Sequence, residues 1–188
     1  MAVDAQLHLL KADVDAELEH ARVSFHDLLD AMSPDLRRQP SNGTKWSNEE
    51  LLFHMMFGYM ILWSLIWLVK FFGRMPRKVS VIFAVALNIV TGPFNTANFL
   101  GSRFGARVYP YDRMGSKLDR VVKALHRRLA AESAAALRLQ MCFPARWDPF
   151  FEERMTLAHV YHYPAQHFEF HRRQLSGDLS VGEITGKP

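Results

Sequence analysis

The sequence predicts an all-α protein, and three observations carry that prediction. Apolar residues recur at alternating steps of three and four over 7–32, and a second apolar stripe runs over 114–137; both are typical of amphipathic helices. A capping box of Ser47 and Glu50 precedes a long apolar run, which marks a further helix start. Apolar residues near the C-terminus cluster on one side of a helical wheel. We expect one domain over residues 1–188, with helices at about 5–32, 48–72, 113–139 and 153–175.

The first predicted helix has a single apolar stripe that must pack on other helices. Ser33-Pro34 ends it, because proline disfavours helical geometry in the residue before it. Histidines that fall outside the apolar stripes are interpreted as solvent-facing: His8, His20 and His26 on this helix and His126 on the third.

The second predicted helix carries His54 inside an apolar run that continues to Val69. A buried imidazole needs a partner, since an unsatisfied polar group in a core costs a few kcal/mol. Two kinds of partner remain open: a backbone carbonyl or tyrosine, or a metal ion shared with His167 and His171 further along the chain.

An unusual apolar region follows at about 73–110. Basic residues at 70–78 lead into the apolar segment 79–90, and glycines and prolines punctuate 91–110, which predicts a loop or short helix over a pocket. A membrane hairpin is disfavoured because each uncharged stretch is shorter than the ~20 residues of a spanning helix. A buried central helix, with the second segment covering it or lining an apolar pocket, is the preferred interpretation. Peripheral contact with a membrane surface stays open.

Composition limits the metal ligands, partners and location that the chain can have. A single cysteine, Cys142, excludes an intrachain disulfide and a thiolate cluster, so a metal ion must be held by histidine and carboxylate. The net charge of +4 is scattered along the chain, which disfavours a nucleic-acid partner. The first residues lack the basic start and apolar run of a signal peptide, so a cytoplasmic location is expected.

Four histidines lie within residues 159–171. His167 and His171 are four residues apart and fall on the inward side of the last predicted helix, so both rings face one spot. His159 and His162 lie before Pro164, a helix breaker, and are expected to take supporting, capping or surface roles. A helix that presents two histidines in this way offers two nitrogen ligands to a metal ion.

Two motifs together resemble the DinB/YfiT-like superfamily: Trp46-Ser47-x-x-Glu50-Leu51-Leu52-x-His54, and His167-x-x-x-His171-x-x-Gln174-Leu175. The resemblance implies a four-helix bundle of up-down-down-up topology, here with an extra hydrophobic segment between the second and third helices. It implies a divalent metal ion, most often zinc or nickel, on His54, His167 and His171. Tyr163 and Gln174, about a turn from these ligands, are expected to support them.

The function implied by this resemblance is metal-dependent catalysis on a small hydrophobic substrate. Members of the superfamily include thiol S-transferases and isomerases, and the metal would activate a low-molecular-weight thiol or water for transfer or hydrolysis. An Ala- and Arg-rich composition suggests a GC-rich bacterium, in which mycothiol is the expected thiol. The alternative is a non-catalytic binder of a hydrophobic ligand or membrane surface. A homodimer is compatible with either.

Overall fold

The computed structural model describes residues 2–177 and is almost entirely helical. Within them lie eight helices: α1 Ala2–Ala31, α2 Pro34–Arg38, α3 Asn48–Phe72, α4 Arg77–Ile89, α5 Thr91–Val108, α6 Tyr111–Ala130, α7 Ala134–Leu137 and α8 Leu157–Arg172. Two short strands, β1 Gln140–Cys142 and β2 Arg154–Thr156, pair antiparallel with Gln140 opposite Thr156. The all-α class is confirmed.

The core lies between α1, α3, α6 and α8. α3 packs against α8, α6 and α5, while α1 packs against α6 and α8. The apolar stripe that runs along α1 to the residue after it is buried at Val14, Leu18, Ala21, Phe25, Leu28 and Met32. α3 is the central element, since it is buried along most of its length.

The start of α3 follows the predicted capping box. The Ser47 hydroxyl accepts the backbone N–H of Glu50, and the Glu50 carboxylate accepts the N–H of Ser47 at 3.0 Å. This satisfies two of the backbone donors that a helix start leaves open. The register of α3, and hence the direction in which His54 points, is set from its first turn.

The region 91–108 is not a loop or short helix, as its glycines and prolines suggested, but the 18-residue helix α5. Pro93 lies in the first turn, where proline costs no helical hydrogen bond. Gly105 lies against the ring of Phe53, and a Cβ there would come within 2.1 Å of the ring atoms Cε1 and Cζ. Pro93 therefore lies at the start of the helix and Gly105 allows close packing on α3, and neither marks a turn.

The last predicted helix also begins differently, because residues 154–156 form β2. Thr156 caps α8 by accepting the N–H of His159 at 3.1 Å. α8 then continues through Pro164, so the expected break before His167 is absent from the described helix. The third predicted helix, placed at 113–139, is divided: α6 ends at Ala130 and Ser133 caps α7.

Length and hydropathy alone would allow α3 to cross a membrane, and α4 with α5 would pass as one span bent by 71°. However, 61% of the most apolar window of α3 is buried among other helices. A long apolar helix surrounded by protein is the pattern of a core helix.

Candidate metal centre

Three histidines from two helices meet in the core. His54 comes from α3, and His167 and His171 come from α8. Each offers a ring nitrogen, and these three atoms lie within 4.8 Å of one another. The residues are 5%, 3% and 9% exposed. In the part of the chain that the structure describes, this is the one group of three or more histidine, cysteine or acidic residues placed to hold a metal ion.

Hydrogen bonds hold the start of α3 and the end of α8 together. Asn48, in the first turn of α3, donates to the hydroxyl of Ser176 at 2.9 Å and accepts the N–H of Ser176 at 3.0 Å. The N–H of Asn42 donates to the carbonyl of Gln174 at 2.7 Å. Because these bonds tie the end of α8 to the start of α3, His171 is held beside His54.

The hydrogen bonds of His54 determine which nitrogen carries its proton. Its Nδ1 lies 3.0 Å from the Ser102 hydroxyl, which itself donates to the carbonyl of Asn98 at 3.0 Å. Since Ser102 has only one proton to donate, its oxygen accepts from Nδ1–H of His54. The lone pair of His54 is therefore on Nε2, where a metal ion would bind it.

His171 has the same arrangement. Its Nδ1 lies 2.6 Å from Oε1 of Gln174, and an amide oxygen can only accept a hydrogen bond. Nδ1 therefore carries the proton and Nε2 carries the lone pair. Gln174 thus contacts the histidine that it was expected to support.

The ring nitrogens of His167 make fewer hydrogen bonds than those of His54 and His171. Its Nδ1 is buried without a hydrogen-bond partner among the described residues. Its Nε2 lies 3.7 Å from Oδ2 of Asp148, which is too long for a hydrogen bond. Buried polar atoms are normally paired, so a nitrogen without a partner beside two others with lone pairs fits a metal ligand. Gly58 makes room for this ring, because a Cβ there would lie 2.8 Å from Nδ1.

Burial keeps all three rings neutral. It lowers the pKa of His54 from its ordinary 6.5 to about 3, with a smaller contribution from His171. Burial also lowers the pKa of His167 well below its ordinary value. It lowers the pKa of His171 as well, although the hydrogen bond that His171 donates to Gln174 opposes this shift. Neutral imidazole is the form that binds metal ions, so the donor set matches a divalent cation.

Asp148 is a functional candidate that sequence analysis missed. Its Oδ2 accepts the hydroxyl of Tyr163 at 2.9 Å and faces His167, and its Oδ1 accepts the N–H of Phe150 at 2.9 Å. Burial raises the pKa of Asp148, while these two hydrogen bonds oppose the rise. Tyr163, expected to support the ligands, donates to Asp148, and its ring centroid lies 5.6 Å from that of His167. The only sequence signal was a carboxylate within the aromatic connector 143–151.

A cavity of about 400 Å³ opens beside His54 and His167. Its walls are mainly apolar and come from α3, α4, α5 and the connector after β1. Asp148 and Ser102 lie on the same lining. The volume and the few polar groups are typical of a small-molecule site. α4 contributes Phe83 and Leu87, so the inserted segment forms part of this wall.

The remaining histidines lie outside the cluster. His8, His20 and His159 are exposed. Two others, expected to face solvent, are about one-third exposed and also join α1 to α6: His26 contacts Asp119 at 2.9 Å and His126 contacts Asp15 at 2.5 Å. His162 contacts Glu17 at 2.8 Å. These carboxylate partners lie on another helix, so the sequence alone did not reveal them.

Together, the fold and the site define a helical protein with a buried cluster of three histidines that can hold a metal ion. The family comparison agrees with this class. The model of the DinB superfamily matches residues 17–175, which is most of the chain, and the protein belongs to this superfamily. No match was found among curated proteins or among solved structures.

Proposed function

We propose that this protein is a metal-dependent enzyme that activates a low-molecular-weight thiol or water against a small hydrophobic substrate. The observation that carries the proposal is the convergence of three neutral histidines, two of which, His54 and His167, line an apolar cavity. Zinc or nickel is the proposed ion, because imidazole ligands suit both. Three protein ligands leave a coordination position open, which is the arrangement of catalytic zinc sites.

A bound divalent cation lowers the pKa of a coordinating thiol or water and so supplies a nucleophile at neutral pH. The protein must then accept the released proton. We assign that role to Asp148, whose carboxylate lines the cavity 3.7 Å from His167 Nε2. Its pKa is raised by burial, which brings a carboxylate closer to the range of an efficient general base. Tyr163 orients this carboxylate by donating to it.

The substrate class follows from the cavity walls. Phenylalanines from α3, α4 and α5 line the space, and polar side chains are a minority of its lining. An apolar body with one electrophilic centre would place that centre near the metal site. Mycothiol is the proposed thiol for a bacterial enzyme; glutathione is the alternative probe. We also propose that α1, α3, α6 and α8 form an up-down-down-up four-helix bundle, to which α4 and α5 add the cavity wall.

Metal analysis tests the first step of this proposal. The purified protein is expected to carry about one zinc or nickel ion per chain, measured by mass spectrometry of the elements. His171→Ala should lose the ion, whereas His159→Ala, which removes an exposed histidine from the same helix, should retain it. Circular dichroism checks that both variants fold. An unchanged metal content in His171→Ala would refute the assignment.

A second experiment tests the chemistry. The zinc- or nickel-loaded protein is mixed with mycothiol or glutathione and 1-chloro-2,4-dinitrobenzene. Reaction forms a carbon–sulfur bond, breaks the carbon–chlorine bond and releases chloride, with the thiol proton passing to Asp148. Hydrolysis of a 4-nitrophenyl ester tests water as the nucleophile. Asp148→Asn should slow the active reaction by roughly 10²- to 10⁴-fold, the contribution of a general base.

The second candidate is a non-catalytic binder of a hydrophobic ligand, which the apolar cavity favours. A metal-free protein that binds an apolar fluorescent probe in the cavity, and catalyses neither reaction, would support it. Loss of probe binding on substitution of Phe94, a cavity-wall residue from α5, would place the ligand there.

A further inference from the structure

The outward face of α4 is apolar, although it faces solvent. Ile82, Val85 and Ile89 are 70%, 54% and 78% exposed. Their spacing of three and four places them on one side of the helix. A surface helix normally carries polar residues on its outer side, and exposed apolar patches of this kind mark interaction sites.

Charge distinguishes this surface from the rest of the protein. Residues 51–111 contain no Asp or Glu and six basic residues: Lys70, Arg74, Arg77, Lys78, Arg103 and Arg107. The segment thus carries +6, whereas the whole chain carries +4. Arg74, Arg77 and Lys78 are exposed at the start of α4, and none of them forms an ion pair among the described residues. A basic edge therefore adjoins the apolar face.

The inner face of α4 is buried and hydrogen-bonded to the rest of the protein, so the outer face is the side that remains exposed. Ser80 and Ala84 are buried. The indole N–H of Trp147 donates to the carbonyl of Leu87 at 2.8 Å, and the N–H of Arg146 donates to Oδ1 of Asn88 at 3.2 Å. These bonds fix α4 with its apolar side outward.

We propose that the outer face of α4 docks on an anionic lipid bilayer. An apolar helical side flanked by exposed Lys and Arg, in a stretch of the chain that contains no Asp or Glu, is the pattern of a helix that lies in the membrane interface. α4 has 13 residues and is therefore roughly 20 Å long, too short to span a bilayer core of about 30 Å. Docking would be parallel to the surface.

A second copy of the chain fits this face less well. An isologous contact sets the same segment against itself, and residues 51–111 offer no carboxylate to pair with the facing Arg and Lys. Anionic headgroups supply that negative charge. Since Phe83 and Leu87 on the inner side of α4 line the cavity, docking would bring the cavity wall against the bilayer. The docking itself does not rest on the proposed enzymatic function.

Vesicle flotation with the full-length protein tests the proposal. We expect binding to vesicles of phosphatidylcholine with phosphatidylglycerol, weakened by added salt, and little binding to phosphatidylcholine alone. The double variant Ile82→Ser/Ile89→Ser should lose roughly tenfold or more in vesicle affinity, because two apolar side chains no longer insert. Its control, Leu9→Ser/Val23→Ser, removes two exposed apolar residues from α1 and should bind as the parent does.

A charge variant tests the basic edge separately. Arg77→Glu/Lys78→Glu should lose at least about 30-fold in affinity for the anionic vesicles, from about 1 kcal/mol per basic residue removed. Acidic residues at a helix start favour the helix, so the variant is expected to fold. Arg120→Glu/Lys123→Glu, an equal charge change at exposed positions of α6, should bind normally.

Three outcomes would overturn the docking proposal. The parent protein does not float with anionic vesicles; either α4 variant binds as tightly as the parent; or the parent binds neutral and anionic vesicles equally. Sedimentation velocity tests the other candidate occupant of this face, a second copy of the chain. If the parent is a dimer that Ile82→Ser/Ile89→Ser converts to a monomer, and vesicles are not bound, the face is a contact between copies of this chain.

Discussion

Gly58→Ala tests whether the position of His167 matters for metal binding. Gly58 lies one turn after His54 on α3, and a Cβ there would sit 2.8 Å from His167 Nδ1 and 3.3 Å from Cε1. Ordinary contact begins at 3.4 Å, so the imidazole must shift by about 0.6 Å. Metal–ligand distances tolerate about 0.2 Å, and the shift exceeds that limit.

The expected result is a loss of metal affinity with little loss of fold. Alanine is favoured over glycine in a helix by up to about 1 kcal/mol, which offsets part of the strain. The affinity for zinc should fall roughly 10- to 100-fold, the usual effect of disturbing a ligand's support. Competition with a chromogenic zinc chelator measures the affinity, and thermal unfolding of the metal-free protein measures stability.

Gly101→Ala is the matched control. Gly101 lies within α5, and a Cβ there meets nothing within 4 Å. It gains the same helix propensity without touching the histidines, so its zinc affinity should equal that of the parent. If Gly58→Ala also binds zinc as tightly as the parent, then His167 is not held as a ligand and the proposed site is wrong.

Three further predictions concern stability. Gly105→Ala places a Cβ 2.1 Å from the buried ring of Phe53 and should destabilise the protein by about 1–3 kcal/mol. Urea unfolding measures this loss, with Gly101→Ala as the control. Glu132→Ala removes a buried carboxylate 2.6 Å from the amine of Lys70, and should cost about 3 kcal/mol because it leaves that cation unpaired; a loss under 1 kcal/mol would contradict this. The third prediction concerns pH and the metal-free protein. Burial holds the folded pKa of His54 near 3 against an ordinary 6.5, so between these values only the unfolded state takes up the proton and stability falls as pH falls. At about pH 5 this amounts to about 2 kcal/mol of the free energy of unfolding. The His54→Gln variant should therefore lose about 2 kcal/mol less stability than the parent on acidification. Parallel profiles of stability against pH for the two proteins would refute the assignment.

Local patterns were enough to predict the helices that form the core. The apolar stripe of α1 and the capping box before α3 depend on neighbours within a few residues, and the structure has both. The two histidine motifs also pointed to the family, because their residue types and order are visible in the chain. The inward direction of His167 and His171 followed from helical periodicity alone.

The errors arose where packing overrode local preference. The glycines and prolines of 91–110 suggested a loop or short helix, but residues 91–108 form an 18-residue helix in which Gly105 allows close approach to Phe53. Residues 154–156 form a strand because β1 lies beside them. The pairing of His26 and His126 with carboxylates was not predicted, because each partner lies on another helix.

The sequence by itself determined the helical class, which depends on local spacing, and the two motifs that resemble the family. The set of three histidines came from that resemblance, because His54 and His167 lie far apart in the chain. Only the tertiary structure decided how those histidines are held. Ser102 and Gln174 set two tautomers, Gly58 leaves room for the third ring, and Asp148 enters the cavity from a connector. The outward face of α4 was likewise decided by packing, because an apolar segment shows which side is buried only when its neighbours are in place.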